Sequence, residues 1–187
     1  MENKTVDIYL EANPNPNSLK FVADYMLVQT GQNFDFPDLE STKNAPLAAE
    51  LFGYDYVRRV FYMSNFITVT KSEDKNWSEI QDELKVHIKN FLESGKPILE
   101  ESLADEKTGE TDMDIKIKGL LDEYVKPAVE QDGGAIEFKS FDEGIVKVYL
   151  QGACSGCPSS MVTLKSGIEN LLKSMIPEVK GVEAEEG

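Results

Sequence analysis

Ile145-Val146-Lys147-Val148-Tyr149-Leu150-Gln151-Gly152-Ala153-Cys154-Ser155-Gly156-Cys157-Pro158-Ser159-Ser160-Met161 reads as a strand, a turn and the start of a helix. Ile145 to Leu150 is strand-like. Pro158 disfavours the helical region for the residue before it, which predicts an extended Cys157. A helix is then expected at or just after Pro158, whose missing amide is harmless in a first turn. Met161, Leu164, Ile168, Leu171 and Met175 recur at steps of three and four and predict one apolar face, and Pro177 ends the run. Cys154 and Cys157 therefore sit on a strand-to-helix turn, where Gly152 and Gly156 let the backbone come close to a bulky ligand.

Working outward, Gly133-Gly134 and Asp142-Glu143-Gly144 are turn signals flanking a strand over Ala135 to Ser140. Before them, a helix is predicted from about Asp114, with Ile117, Leu121, Tyr124 and Ala128 on one face. Pro127 is expected to kink or end that helix. A last strand near Val179 to Glu183 completes the order helix, strand, strand, helix, strand.

The N-terminal half has its own pattern. Val6 to Glu11 and Leu19 to Ala23 read as strands joined by an Asn/Pro-rich turn. Pro46 to Phe52 reads as a short helix closed by Gly53, and Val57 to Tyr62 with Phe66 to Lys71 as a hairpin around Ser64-Asn65. A helix from about Ser78 to Glu93 buries Ile80, Leu84, Ile88 and Phe91, with Ser78 and Gln81 as a capping box. Between the halves, Gly95 to Met113 holds six acidic residues against two basic ones and no sustained period. That stretch reads as a flexible acidic linker. The expectation is an α+β chain of two small α/β-sandwich domains, residues 1–94 and 114–187, with a linker at 95–113.

At 187 residues with 41% hydrophobic content, the chain is long enough for two small cores. The net charge of -15 argues against nucleic-acid binding, which needs a basic surface, and against adhesion to an anionic membrane. No run approaches the roughly 20 apolar residues of a membrane span. Met1 to Leu10 lacks a basic and then apolar signal pattern, so a cytoplasmic protein is expected.

The chain has two cysteines in all. Two soft thiolates at C-x-x-C spacing are half of a site, because a zinc site or an iron-sulfur cluster normally needs four ligands. Redox dithiols and zinc half-sites share the spacing. In thioredoxin-like motifs, however, the proline falls between the cysteines and the second cysteine lies inside the helix; here Pro158 follows both. No Lys or Arg lies between Gln151 and Ser160, so the charge of a bound anionic cluster must be met by the amides and dipole at the helix start. Three readings remain open at this level: an iron-sulfur carrier, a thiol-disulfide oxidoreductase using Cys154 or Cys157, and a structural zinc-bridged dimer.

Gly152-Ala153-Cys154-x-x-Cys157-Pro158-Ser159-Ser160, followed by Thr163-Leu164-Lys165-x-Gly167-Ile168-Glu169, resembles the C-terminal domain of NifU-like (Nfu-type) iron-sulfur cluster proteins, as does Asp132-Gly133-Gly134. Asn13-Pro14-Asn15-Pro16-Asn17-Ser18-Leu19-Lys20-Phe21, Pro46-Leu47-Ala48 and Phe66-Ile67-Thr68-Val69-Thr70-Lys71 are similar to the Nfu N-terminal domain, while Ala23 to Asn44 matches poorly. The resemblance implies a cluster scaffold and carrier, not an enzyme. Two subunits each contribute Cys154 and Cys157 to a bridging 4Fe-4S cluster that passes to apo-proteins; a 2Fe-2S cluster also fits four thiolates. It further implies a homodimer with exposed ligand loops, and an N-terminal domain that helps dock recipients.

The remaining features have structural readings. His87 is the only histidine and lies beside an apolar helix stripe, where a partly buried or surface role is expected instead of metal ligation. Asp132-Gly133-Gly134 is expected to serve a turn, Asn13 to Asn17 a structural loop, and Met161 and Met175 the core. There is no Walker-type glycine loop and no nucleophile with an evident partner for His87.

Overall fold

The fold is that of a computed structural model, which describes residues 5–100, 111–155 and 158–186, without the side chains of 158–160 and 186. Its elements run β1 (Ile8–Ala12), β2 (Ser18–Ala23), β3 (Asn33–Phe36), α1 (Pro46–Leu51), β4 (Val57–Met63), β5 (Phe66–Lys71), α2 (Trp77–Glu93), α3 (Asp112–Leu120), α4 (Lys126–Gln131), β6 (Gly134–Asp142), β7 (Ile145–Gly152), α5 (Pro158–Met175) and β8 (Gly181–Glu186). The chain divides into two compact units, Met1–Leu103 and Ala104–Gly187. Each pairs a sheet with helices, so the α+β class is observed. Residues 101–110 of the expected linker lie outside the described residues.

In the first unit, the antiparallel sheet has the order β1-β2-β5-β4-β3. Leu47, Leu51, Leu84 and Ile88 from α1 and α2 share one core with Phe21, Val60, Tyr62 and Ile67 from the sheet. The Asn/Pro-rich turn is held by its own side chains. Asn13 Oδ1 accepts the Asn15 amide and Asn15 Oδ1 accepts the Asn17 amide, each at 3.0 Å. These are consecutive Asx turns, in which a short amide side chain stands in for a backbone turn. Trp77 donates from Nε1 to the Pro16 carbonyl at 3.1 Å, tying the first residue of α2 to this turn. The helix consequently starts at Trp77 with Asn76 as N-cap, and the expected capping box at Ser78 does not form.

The edge strand β3 is the element that the sequence pattern did not reveal. Four residues alternating Asn, Phe, Asp and Phe are too short for a period to stand out. What holds the strand is long-range: Arg59 donates to both carboxylate oxygens of Asp35, at 2.9 Å from Nε and closer still from Nη2. This fork-to-fork pairing lies across the β3–β4 register.

In the second unit, β6 and β7 pair antiparallel while β7 and β8 pair parallel. A parallel pair needs a crossover, and α5 provides it. Burial alternates along β7, with Val146, Val148 and Leu150 in the core. Along the described part of α5 the buried positions are Ile168 and Leu172, continued by Ile176 just past its end. Met161, Leu164 and Leu171 pack partly against the core, while Met175 is exposed, contrary to the core role expected for it. Successive steps of four after Ile168 carry the buried face away from Met175.

Pro127 produces the second difference. It cannot donate to the carbonyl four residues back, and its ring crowds that carbonyl. The chain responds with a π-helical turn over Leu121–Val125, in which the Lys126 amide reaches the Leu121 carbonyl five residues back. A π turn holds one more residue than an α turn closed by a bond to the fourth residue back. Everything after it is therefore displaced by one position: Val125 and Val129 are buried where Tyr124 and Ala128 were expected, and Tyr124 is 51% exposed. The helix also begins slightly earlier than expected. Thr111 caps it, accepting the Asp114 amide at 3.2 Å while the Asp114 carboxylate accepts the Thr111 amide at 2.9 Å.

Candidate functional site

The loop that carries Cys154 leaves β7 at Gly152, which closes the strand in the left-handed region with φ 65°. The Ser155 amide then donates to the Gly152 carbonyl at 3.1 Å, a tight turn that carries Cys154 at its centre. Pro158 is the first residue of α5, as its position after the second cysteine predicts. Cys157 and Gly156 lie outside the described residues, so the second of the two expected ligands has no described position.

Cys154 is not on an exposed loop. It is 6% accessible and belongs to the core that includes Ile136, Leu150 and Ile168. Ala153 and Ser155 beside it are buried as well. The expectation of an exposed loop is corrected at this position, and the physical reason lies across the sheet. A Cβ placed on Gly134 would come within 2.8 Å of the Cys154 sulfur, 2.6 Å of the Gln151 carbonyl oxygen and 3.1 Å of the Cys154 amide nitrogen. The hydrogen of Gly134 leaves the space that the thiol fills, and a thiol packs well there because it is small and weakly polar.

The neighbouring Gly133 contributes through its backbone. It adopts φ 83°, and its carbonyl accepts the Ala153 amide at 3.3 Å. Asp132-Gly133-Gly134 thus makes a turn, as expected, and also forms the wall against which the Cys154 loop rests. That second role had one sequence signal: two consecutive glycines are one more than a single left-handed turn position requires. Among the described residues, the buried Gln151 Oε1 near the end of β7 has no hydrogen-bond partner.

His87 is placed in the first unit, in a shallow surface groove. Its Nδ1 pairs with the Tyr54 hydroxyl at 2.9 Å and its Nε2 with Glu50 at 3.0 Å. The side chain is about a quarter exposed, and both ring nitrogens are engaged by structural partners. Tyr56 donates to Glu83 at 3.0 Å close by, and burial followed by that hydrogen bond pushes its hydroxyl far above the usual phenol range.

Near the end of α5 the chain is pinned electrostatically. Glu169 accepts from Lys173 and from the Val182 amide, and these bonds, in that order, hold its carboxyl below the usual carboxylate range. The crossover helix that starts at the ligand loop is thereby fastened to β8.

A family model described as NifU-like domain matches residues 117–183, and one described as Scaffold protein Nfu/NifU N terminal matches residues 8–95. NifU-like protein 4, mitochondrial, of Arabidopsis thaliana is 44% identical over 98% of this chain and 68% of its own length. The NFU1 iron-sulfur cluster scaffold homolog, mitochondrial, of Homo sapiens is 42% identical over 94% of this chain and 70% of its own. A solved NifU-like protein from Saccharomyces cerevisiae aligns at 19% identity and a TM-score of 0.48, over 55% of this chain and 91% of that one.

The cytoplasmic expectation does not stand. These relatives are named as mitochondrial proteins, which points to mitochondria. The expectation rested on Met1 to Leu10, and this chain spans only about two thirds of its relatives' length, so those ten residues are no guide to compartment. Among the described residues no helix is long and apolar enough to cross a membrane. With one family model on each half and relatives above 40% identity over nearly its whole length, the chain belongs to the NifU-like family and combines the Nfu/NifU N-terminal region with the NifU-like domain.

Proposed function

We propose that this protein is an iron-sulfur cluster scaffold and carrier, in which Cys154 and Cys157 of two subunits together hold one 4Fe-4S cluster for transfer to apo-proteins. The observation that carries the reading is the cysteine count set against the ligand count. The chain has two cysteines, separated by two residues, in the segment of sequence between β7 and α5. Four thiolates then require two chains. Closed two-fold symmetry brings two such turns face to face. The names of the relatives, with scaffold in the human one, support the same role.

In this reading residues 114–187 are the cluster-binding domain, residues 1–94 dock the recipient and 95–113 is the acidic linker between them. Transfer proceeds by ligand exchange. Each acceptor thiol gives up its proton and bonds iron as a thiolate, the iron bond to Cys154 or Cys157 breaks, and the released cysteine takes up a proton. The oxidation state of the cluster is unchanged and the protein supplies no catalytic group. The amides and dipole at the start of α5 would offset the charge of the anionic cluster.

Anaerobic reconstitution with iron and sulfide tests the proposal. The expected product is a brown dimer with about four irons per two chains, lost on Cys154→Ser or Cys157→Ser. About two irons per dimer would assign a 2Fe-2S cluster instead. A colourless chain that binds zinc, or a monomer that reduces disulfides without metal, would overturn the reading.

A further inference from the structure

We infer that Gly134 is a positioning residue for the ligand loop: the missing side chain at the start of β6 is the niche that receives the Cys154 thiol and sets where the loop lies. The inference rests on the reading of Cys154 as a cluster ligand and adds a residue to that site from another strand.

The geometry has three parts. A Cβ on Gly134 would meet the Cys154 sulfur, the Cys154 amide nitrogen and the Gln151 carbonyl oxygen, all on the stretch that carries the ligand. Two of those atoms are backbone, so a larger residue cannot be accommodated by swinging a flexible side chain aside. Gly134 also sits opposite Gly152 in the β6–β7 register, and the Gly133 carbonyl accepts the Ala153 amide. Gly133 and the first residue of β6 therefore hold the start of the turn.

Gly134 is not among the glycines with positive φ. An alanine would fit the backbone conformation, and close approach is the only reason for glycine there. What approaches is the ligand loop and its thiol.

With the thiol in this niche, Cys154 is 6% accessible. A cluster shared between two chains cannot reach it there, so ligation requires the sulfur to leave the niche. The loop thus has two stations for Cys154: an inner one against Gly134, sheltered from oxidants, and an outer one on the cluster.

The test uses the full-length reduced chain with Cys157→Ser, which leaves Cys154 as the only thiol. Its alkylation by iodoacetamide is expected to be about tenfold or more slower than in the same chain unfolded in urea, because reaction waits for the loop to open. Adding Gly134→Ala is expected to remove most of that protection while circular dichroism still reports a folded chain. Equal protection with glycine and alanine, or no protection at all, would overturn the inference.

A second pair of variants covers the case in which Gly134→Ala does not fold. Combining Gly134→Ala with Cys154→Ala removes the sulfur from the crowded niche and is expected to regain part of the lost thermal stability. If nothing is regained, backbone approach alone demands the glycine and the thiol has no part in it. Neither measurement involves iron. Should the unmodified chain fail to bind a cluster, the scaffold reading falls while the Gly134–Cys154 result stands, and the reverse outcome is equally separable.

Discussion

Glu169 on α5 accepts the backbone amide of Val182, the second residue of β8, at 3.2 Å while its other oxygen accepts from Lys173 at 2.5 Å. A single carboxylate joins the crossover helix to the strand it leads to. The pairing holds the folded carboxyl below its ordinary value of 4.5. In the window below that value the unfolded chain binds the proton more readily, so stability rises with pH there and is lost as pH falls through the depressed folded value. Glu169→Gln should flatten the acid limb of the unfolding curve and leave the neutral region less stable. An acid limb identical to that of the unmodified chain in parallel thermal scans would show that the carboxylate does not couple.

The π-helical turn predicts an unusual ranking of neighbours. Val125→Ala removes buried methyls and should cost about 2 kcal/mol, whereas Tyr124→Ala, although it deletes a larger ring, should stay within about 0.5 kcal/mol. Urea unfolding of both variants checks this. The opposite ranking would mean that the helix runs through Leu121–Val125 without the extra residue.

Gly152 ends β7 in the left-handed region. Gly152→Val should cost more than Gly152→Asn, since asparagine tolerates that region and a β-branched residue does not. The valine variant should also bind less iron on reconstitution, because the strain falls one residue before Ala153-Cys154. Equal stabilities in chemical denaturation would indicate that the turn relaxes to negative φ at no cost.

Asp35 and Arg59 form a nearly buried pair, 4% and 12% accessible, between the edge strand and its neighbour. Asp35→Ala leaves a guanidinium without its fork partner and should destabilise by about 3 kcal/mol. Replacing both residues by apolar ones, as in Asp35→Leu with Arg59→Met, should recover most of the loss. A single variant within about 0.5 kcal/mol of the parent chain would place the pair among surface ion pairs of little worth.

Val162 lies in the first turns of α5 and is 68% exposed. If a second copy covers this side of the ligand loop, Val162→Asp should lower the dimer fraction after reconstitution, read by size-exclusion chromatography, without moving the unfolding midpoint of the apo chain. A dimer fraction that does not change would place the contact elsewhere.

Much of this fold was legible because its signals are local. Pro158 and Pro177 bracket α5, and Ser64-Asn65 turns the β4–β5 hairpin where expected, with Ser64 at φ 48°. The misses are non-local or cumulative. Strand β3 exists through Asp35 meeting Arg59 from another strand, which no window of sequence contains. Helix α2 begins at Trp77 because that indole bonds a carbonyl 61 residues away, not because of a capping pair. Pro127 reads as a kink or an end, but either of these and a one-residue widening leave different residues on the core side, and only the widening buries Val125 and Val129.

At the site, Cys154 and the turn that bears it were readable from the residues. The niche was not. Its decisive atom is one that Gly134 lacks, and a missing side chain acquires meaning only beside the group that occupies the space.

The parallel pairing of β7 with β8 has a consequence for the order of folding. Cys154 precedes Gly181–Glu186 in the chain, and β8 is the strand that pairs in parallel alongside the one that leads into the Cys154 turn. Parallel pairing cannot begin with a local hairpin and waits for distant residues to meet. Because Val182 of β8 belongs to the same core as Cys154, the shelter around the thiol is complete only once that distant strand has docked.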